Sequence, residues 1–211
     1  VPLVVAAVPR FVAGLLIDRH ELVFYDLELG RNLESYDRMW SAIAGYESAL
    51  RWSDDAQLHQ RLAGLYLAVA RDPSLGPAQR RALLTRSIEQ QRIALGRAPA
   101  DAPSWLQLAY ALYGTEGISP AFQRAYRRSI ELAPYAPALA ATRALLGLRS
   151  WPWLDAQSRA LVPDQVALAV EVDADKLVRQ MVTQGERRLA LFLLAGRPEP
   201  LASLEAALDR T

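Results

Sequence analysis

His20 and His59 are the only imidazoles in this chain of 211 residues, which contains no cysteine. Without a thiol there can be no disulfide, thiolate metal site or cysteine nucleophile. In "DRHELVFYD", His20 lies close to Asp18, Glu21 and Asp26, a set that could be drawn as metal ligands. That spacing supplies neither a pair of ligands one helical turn apart nor a second imidazole, so a solvated loop is the expected setting. His59 stands at the entry of a helical segment and reads as a packing residue. Two isolated histidines leave little material for an HExxH zinc site or a Ser-His-Asp triad. Asp54 and Asp55 are neighbours in sequence, so on a helix their side chains diverge. They suit the positive end of a helix dipole better than joint action on one substrate. No glycine-rich phosphate loop occurs. The expectation is a chain with no catalytic residues, no metal and no cofactor.

Recognition then falls to arginine and tryptophan. Lys176 is the only lysine among 24 basic residues. So one-sided a ratio fits GC-rich coding and suggests a bacterial origin. Arg124, Arg127 and Arg128 share one expected helix, and Trp151 and Trp153 flank a proline in "RSWPWLD". These five are the candidate partner-binding residues. Planar guanidinium groups pair with acidic groups of a partner peptide or with anionic lipid headgroups, while a solvated face is the plain alternative. The two tryptophans are either mortar between helices or exposed anchors. A net charge of +1 lacks the basic excess of a nucleic-acid binder, so no nucleic acid is expected.

The elements that must position these side chains are helical. Asn32 is a candidate cap for a helix running to about Trp52. Ser53 is a candidate cap for the next, with Asp54 and Asp55 in its first turn. Leu58, Leu62, Leu65, Tyr66 and Val69 recur there with a helical period. Pro77 opens a long segment to about Gly96. Asp101 or Ala102 precedes a helix to Tyr113 that Gly114 would stop. Ser119 caps a helix opened by Pro120, where a proline forfeits no helical hydrogen bond. After Pro137 an apolar segment runs to Leu148. "RSWPWLD", "LVPD" and "EVDAD" mark further boundaries, Gly185 and Gly196 close two short helices, and Pro198 or Pro200 opens the last. "ELVFYDLEL" and "VALAVEV" are strand-like but have no partners for a sheet. An all-α chain is expected.

One stretch carries an internal pattern: "SWLQLAYALYGTEGISPAFQRAYRRSIELAP". Trp105, Leu108, Ala109 and Leu112 keep a W-x2-L-G-x2-Y spacing, Phe122 and Tyr126 keep A-x3-F, and Pro134 closes the unit. The stretch resembles a tetratricopeptide repeat, with Ala109, Leu112 and Phe122 replacing the usual glycine, tyrosine and alanine. Upstream, "ALGRAP" ends like "SIELAP", and Pro99 precedes Trp105 by six residues. Ala42, Tyr46, Ala49 and Leu50 match a second helix, and Leu62, Ala63 and Tyr66 a first. Asp54 and Pro99 lie further apart than one repeat of about 34 residues, so an insertion sits around "RDPSLGPAQRRALLTRS". The resemblance implies a right-handed α-solenoid of helix–turn–helix pairs over residues 32–150, with residues 151–211 as a C-terminal helical cap. An irregular helical bundle is the alternative.

Residues 1–17, "VPLVVAAVPRFVAGLLI", are apolar apart from Arg10 and are interrupted by Pro2 and Pro9. A spanning helix wants roughly 20 apolar residues, and a central arginine opposes insertion. Three readings stand open for this segment, within a domain of residues 1–31: a marginal membrane anchor, a helix packed against the domain, or a targeting remnant. The family resembled holds peptides and proteins in a curved groove. The expected function is therefore a non-catalytic scaffold that docks a protein or peptide partner; if residues 1–17 associate with membrane it sits at the bacterial cell envelope, with soluble cytoplasm as the alternative location. A permanent structural subunit of a larger membrane complex is the alternative, and an enzyme comes third.

Overall fold

The computed structural model describes residues 2–20, 23 and 36–210. Within them every regular element is helical: α1 (Pro2–Ile17), α2 (Tyr36–Ala49), α3 (Ala56–Val69), α4 (Pro77–Arg97), α5 (Ala102–Glu116), α6 (Pro120–Leu132), α7 (Pro137–Ser150), α8 (Ala156–Gln180), α9 (Gln184–Leu194) and α10 (Pro198–Asp209). Val166–Val172, one of the two strand-like stretches, is helical within α8. The other, Glu21–Leu29, lies outside the described residues apart from Val23, as does the expected cap at Asn32. The chain divides into two compact units, the first ending at Thr115 and the second beginning at Glu116.

In the first unit α3 is the central element. Leu58, Leu62, Leu65, Tyr66 and Val69 are all buried, and α4 and α2 pack against this helix. Its cap is Asp55, whose carboxylate accepts the Gln57 N–H at 2.8 Å, and not Ser53. Ser87 of α4 donates to the Ala63 carbonyl at 2.9 Å, tying the two helices where an unpaired hydroxyl would be costly. Asp101 caps α5 by accepting the Ser104 N–H at 3.0 Å. Trp105 donates its indole N–H to the Pro99 carbonyl at 2.8 Å, a local reason for their fixed separation. Gly114 does not stop α5. A Cβ there would come within 2.8 Å of Leu84 Cδ1, so the glycine serves close helix packing. The residue just past the helix is Gly117, whose φ of 68° favours glycine.

His20 is buried, in a 3₁₀ turn (Asp18–His20), and not on a solvated loop. Gly45 of α2 explains this: a Cβ there would meet the ring at 2.6 Å, so the missing side chain makes room for the imidazole. Ala13 is the buried side of α1, whereas Val8, Phe11 and Leu15 are exposed. No helix among the described residues is long and apolar enough to cross a membrane.

In the second unit α8 is central, packed by α6, α7, α9 and α10. Pro163 lies inside it and does not interrupt it. The break comes at Asp173, where the backbone is extended (φ −167°, ψ 91°), and the Asp173 carboxylate caps the following turn through the Lys176 N–H at 2.8 Å. Thr183 and Glu186 form a reciprocal cap at the start of α9, so Gly185 sits in its first turn and closes nothing. The next glycine, Gly196, does lie beyond the end of α9.

Arg143 of α7 is fully buried and has no carboxylate partner among the described residues. Its guanidinium donates to the backbone carbonyls of Ser129 and of Ala133 (2.8 Å), and to Gln165 Oε1 at 3.4 Å. Gln165 in turn donates to the Pro134 carbonyl at 2.9 Å. Carbonyls at a helix C-terminus lack intrahelical donors and carry partial negative charge, so a buried cation is stabilised there without an acid. Burial draws the guanidinium pKa down to about 10. The turn between α6 and α7 is thereby fixed by Arg143 of α7 and Gln165 of α8.

Candidate functional site

Helix α6 sorts its residues by face. Ser119 caps it, accepting the Phe122 N–H at 3.1 Å, and Pro120 occupies its first position. Phe122, Ala125, Tyr126, Ser129 and Ile130 are buried, following the i, i+3, i+4, i+7 rule of an amphipathic helix. Phe122 and Tyr126 stack with centroids 6.0 Å apart. Arg124 and Arg128 take the opposite, exposed face. Arg128 makes an i,i+3 pair with Glu131 at 3.5 Å, whereas Arg124 has no acidic partner among the described residues. Exposed pairs of this kind contribute roughly 0–1 kcal/mol, so Arg128 is held only loosely.

Arg127 lies on the shoulder between these faces and is committed. Its Nη1 donates to Asp155 Oδ2 at 2.6 Å and to Ser158 Oγ at 3.1 Å. Gln123, one turn earlier, accepts the Asp155 N–H at 2.6 Å. Asp155 is also the cap of α8 and accepts the Ser158 N–H at 2.7 Å. Burial opposes ionisation of Asp155, but the hydrogen bonds from Ser158 and Arg127 outweigh it and hold the carboxyl below its usual range. Arg127 therefore positions the start of α8 and is not available to a partner.

Trp151, Pro152 and Trp153 form a 3₁₀ turn between α7 and α8. Trp151 is half-buried beneath Arg159, whose guanidinium lies 5.9 Å from a ring centroid. Arg159 also donates to the carbonyls of Trp151 (3.0 Å) and Pro152 (2.8 Å). Leu154, immediately after the turn, is buried. Trp153 remains 65% exposed, on a corner pinned from both sides. It is two residues from Asp155, which Gln123 and Arg127 of α6 bond directly. The backbone that carries Trp153 is held by Arg159, while Arg124 and Arg128 are exposed cations on α6.

Of the five expected residues, Trp153, Arg124 and Arg128 are exposed, whereas Arg127 is bonded to Asp155 and Ser158 and Trp151 is half-buried beneath Arg159. The supporting residues Gln123, Asp155 and Arg159 were not singled out from sequence. A signal for one existed: Asp155 is of a residue type favoured at helix starts and closes the "RSWPWLD" break.

The first unit holds the other cluster with chemical potential. His59 is buried, with Nδ1 2.6 Å from Gln90 Oε1 and Nε2 2.7 Å from Asp54 Oδ1, while Arg97 bonds the second Asp54 oxygen. The bonds from His59 and then Arg97 hold the Asp54 carboxyl below its usual range. With both ring nitrogens engaged, neither is presented to a substrate. Among the described residues no group of three or more metal-ligating side chains is assembled. No protein-family model matches this chain, and no curated protein or solved structure is significantly similar to it.

Proposed function

We propose that this protein is a non-catalytic binding scaffold built of tetratricopeptide-like helical pairs, and that its second unit docks a protein or peptide partner through Trp153 with Arg124 and Arg128. The observation that carries the reading is Trp153, a large aromatic left 65% exposed on a corner that Arg159, Leu154 and the Asp155 cap hold rigid. Tryptophan and arginine are the side chains most enriched at the energetic centres of interfaces, because they desolvate a large area and still direct hydrogen bonds. The repeat reading draws support from the burial of Leu108, Ala109, Leu112, Phe122 and Tyr126, the residues that would fill the contacts within a stacked array. The open cationic face of α6 suits acidic groups of a partner.

A second reading, a permanent subunit of a membrane complex at the bacterial envelope, is favoured by the apolar stripe of α1, where Val8, Phe11 and Leu15 are exposed at i, i+3 and i+7. Affinity capture of the intact chain from its native membranes separates the two. A docking scaffold releases its partner when Arg124 and Arg128 are both changed to glutamate, whereas a permanent subunit keeps its complex through that change and through a high-salt wash. Retention of every associated protein by the double variant contradicts docking through this face.

A further inference from the structure

The second unit contains a cleft of about 250 Å³, bounded by Tyr135 at the α6–α7 junction and by Arg197 at the α9–α10 corner. Its floor is one face of α8, where Leu161, Asp164, Leu168 and Glu171 recur at helical spacing. The wall is prebuilt. Gln165, almost fully buried, holds the Pro134 carbonyl, and Arg143 holds those of Ser129 and Ala133, so the loop carrying Tyr135 is anchored while Tyr135 itself is 83% exposed.

The size and charge of the cleft select an occupant. Its volume exceeds the ~150 Å³ apolar cavity that takes up benzene and falls below the ~300–1,000 Å³ of sites that enclose drug-sized ligands. It therefore accommodates one or two side chains. The apolar lining is Leu161 and Leu168 of α8 with Ile130 and Pro134 on the wall, and Asp164 lies between the two leucines. Asp164 is already neutralised by Arg197, while Glu171 is exposed and has no basic partner among the described residues. From Leu161 to Glu171 the helix rises ~15 Å, the length of four or five residues of extended peptide. The geometry points to a peptide-docking groove for an extended partner segment that buries one apolar side chain against Leu168 and the wall formed by Ile130 and Pro134 and places an arginine or lysine, two residues on, against Glu171. Side chains two apart in an extended strand face the same way, which brings both onto the floor together. The stem of the basic residue runs along Leu168.

This inference deepens the docking reading and rests on it, but it uses a face that does not contain Trp153. The test is a titration of the full chain, labelled for amide resonances, with three blocked heptapeptides: Gly-Ser-Leu-Ser-Arg-Ser-Gly, the same peptide with glutamate for arginine, and the same peptide with serine for leucine. The first shifts the amides of Leu161, Leu168 and Glu171, and binds about five- to ten-fold tighter than the glutamate peptide, the difference between an exposed attractive and a repulsive charge pair. Glu171→Arg, a change on the surface, reverses that order, and the serine peptide shifts nothing. Perturbation confined to other surfaces, no perturbation at millimolar peptide, or an order that Glu171→Arg leaves unchanged overturns the inference. If capture through Trp153 survives such a result, the cleft assignment alone has failed.

Discussion

Replacing Gly147 with alanine sets two effects of opposite sign against each other. Gly147 lies in α7, three residues before Ser150 and the tryptophan corner. A Cβ there would sit 2.5 Å from Tyr126 Oη and 2.9 Å from both γ-methyl carbons of Val162. Ordinary carbon contacts are about 3.5–4.0 Å, so something must move. Tyr126 and Val162 are both fully buried, and Tyr126 Oη donates to the Arg143 carbonyl at 3.0 Å, so neither can retreat freely. Overpacking of this kind costs about 1–3 kcal/mol, and losing the tyrosine bond adds about 1 kcal/mol. Alanine's better helix propensity returns about 0.5–1 kcal/mol. The steric side wins, and Gly147→Ala is expected to lose about 1–3 kcal/mol in urea unfolding. In a Tyr126→Phe background, which removes the oxygen that meets the new methyl, the loss shrinks. Gly96, with open space around its Cβ position, is the control, and Gly96→Ala holds or gains stability. A Gly147→Ala protein as stable as the parent would refute the tight crossing of α6, α7 and α8.

Two further perturbations probe the same supports. Asp155→Ala removes both the α8 cap and the Arg127 pair and is expected to cost about 1–2 kcal/mol by chemical denaturation, whereas Asp155→Asn keeps the cap and costs less than half as much; equal losses would show that the arginine pair, not the cap, dominates. At alkaline pH, burial and then the hydrogen bond to Glu47 push Tyr66 up to about 12, and burial also raises Tyr126. An unfolded tyrosine releases its proton near pH 10, so the unfolded state is favoured as pH rises above that value, with a loss of about 1 kcal/mol by pH 11 from Tyr66 alone. Thermal unfolding between pH 8 and 11 should show the decline, and Tyr66→Phe should flatten it; an unchanged slope would contradict the assignment.

Helix starts were the legible part of the sequence. Pro77, Pro120, Pro137 and Pro198 each occupy the first residue of a helix, where no donor is needed. Pro163 shows the limit of that rule. The same residue type sits within α8, where Val162, Val166 and Val170 are buried along one face and packing carries the helix through. Glycines were harder still. Gly114 reads as a stop and Gly147 carries no sequence signal, yet each marks a place where another side chain fills the space a Cβ would take, and that neighbour is distant in sequence. Arg143 was invisible for the same reason. An isolated arginine reads as solvated, and only the fold brings the Ser129 and Ala133 carbonyls to it. At the candidate site, the sequence placed Arg124, Arg127 and Arg128 on one helix, and the structure exposes Arg124 and Arg128. The loss of Arg127 to Asp155, 28 residues on, was not legible there.

The docking claim is tested most directly by placing the photoreactive residue p-benzoylphenylalanine at position 153 of the intact chain and irradiating it in its native host. Glu205, exposed on α10, is the control position. The account predicts a covalent adduct with one defined protein from position 153, absent from position 205 and lost when Arg124 and Arg128 are reversed to glutamate. No adduct from position 153, or the same adducts from both positions, would contradict it.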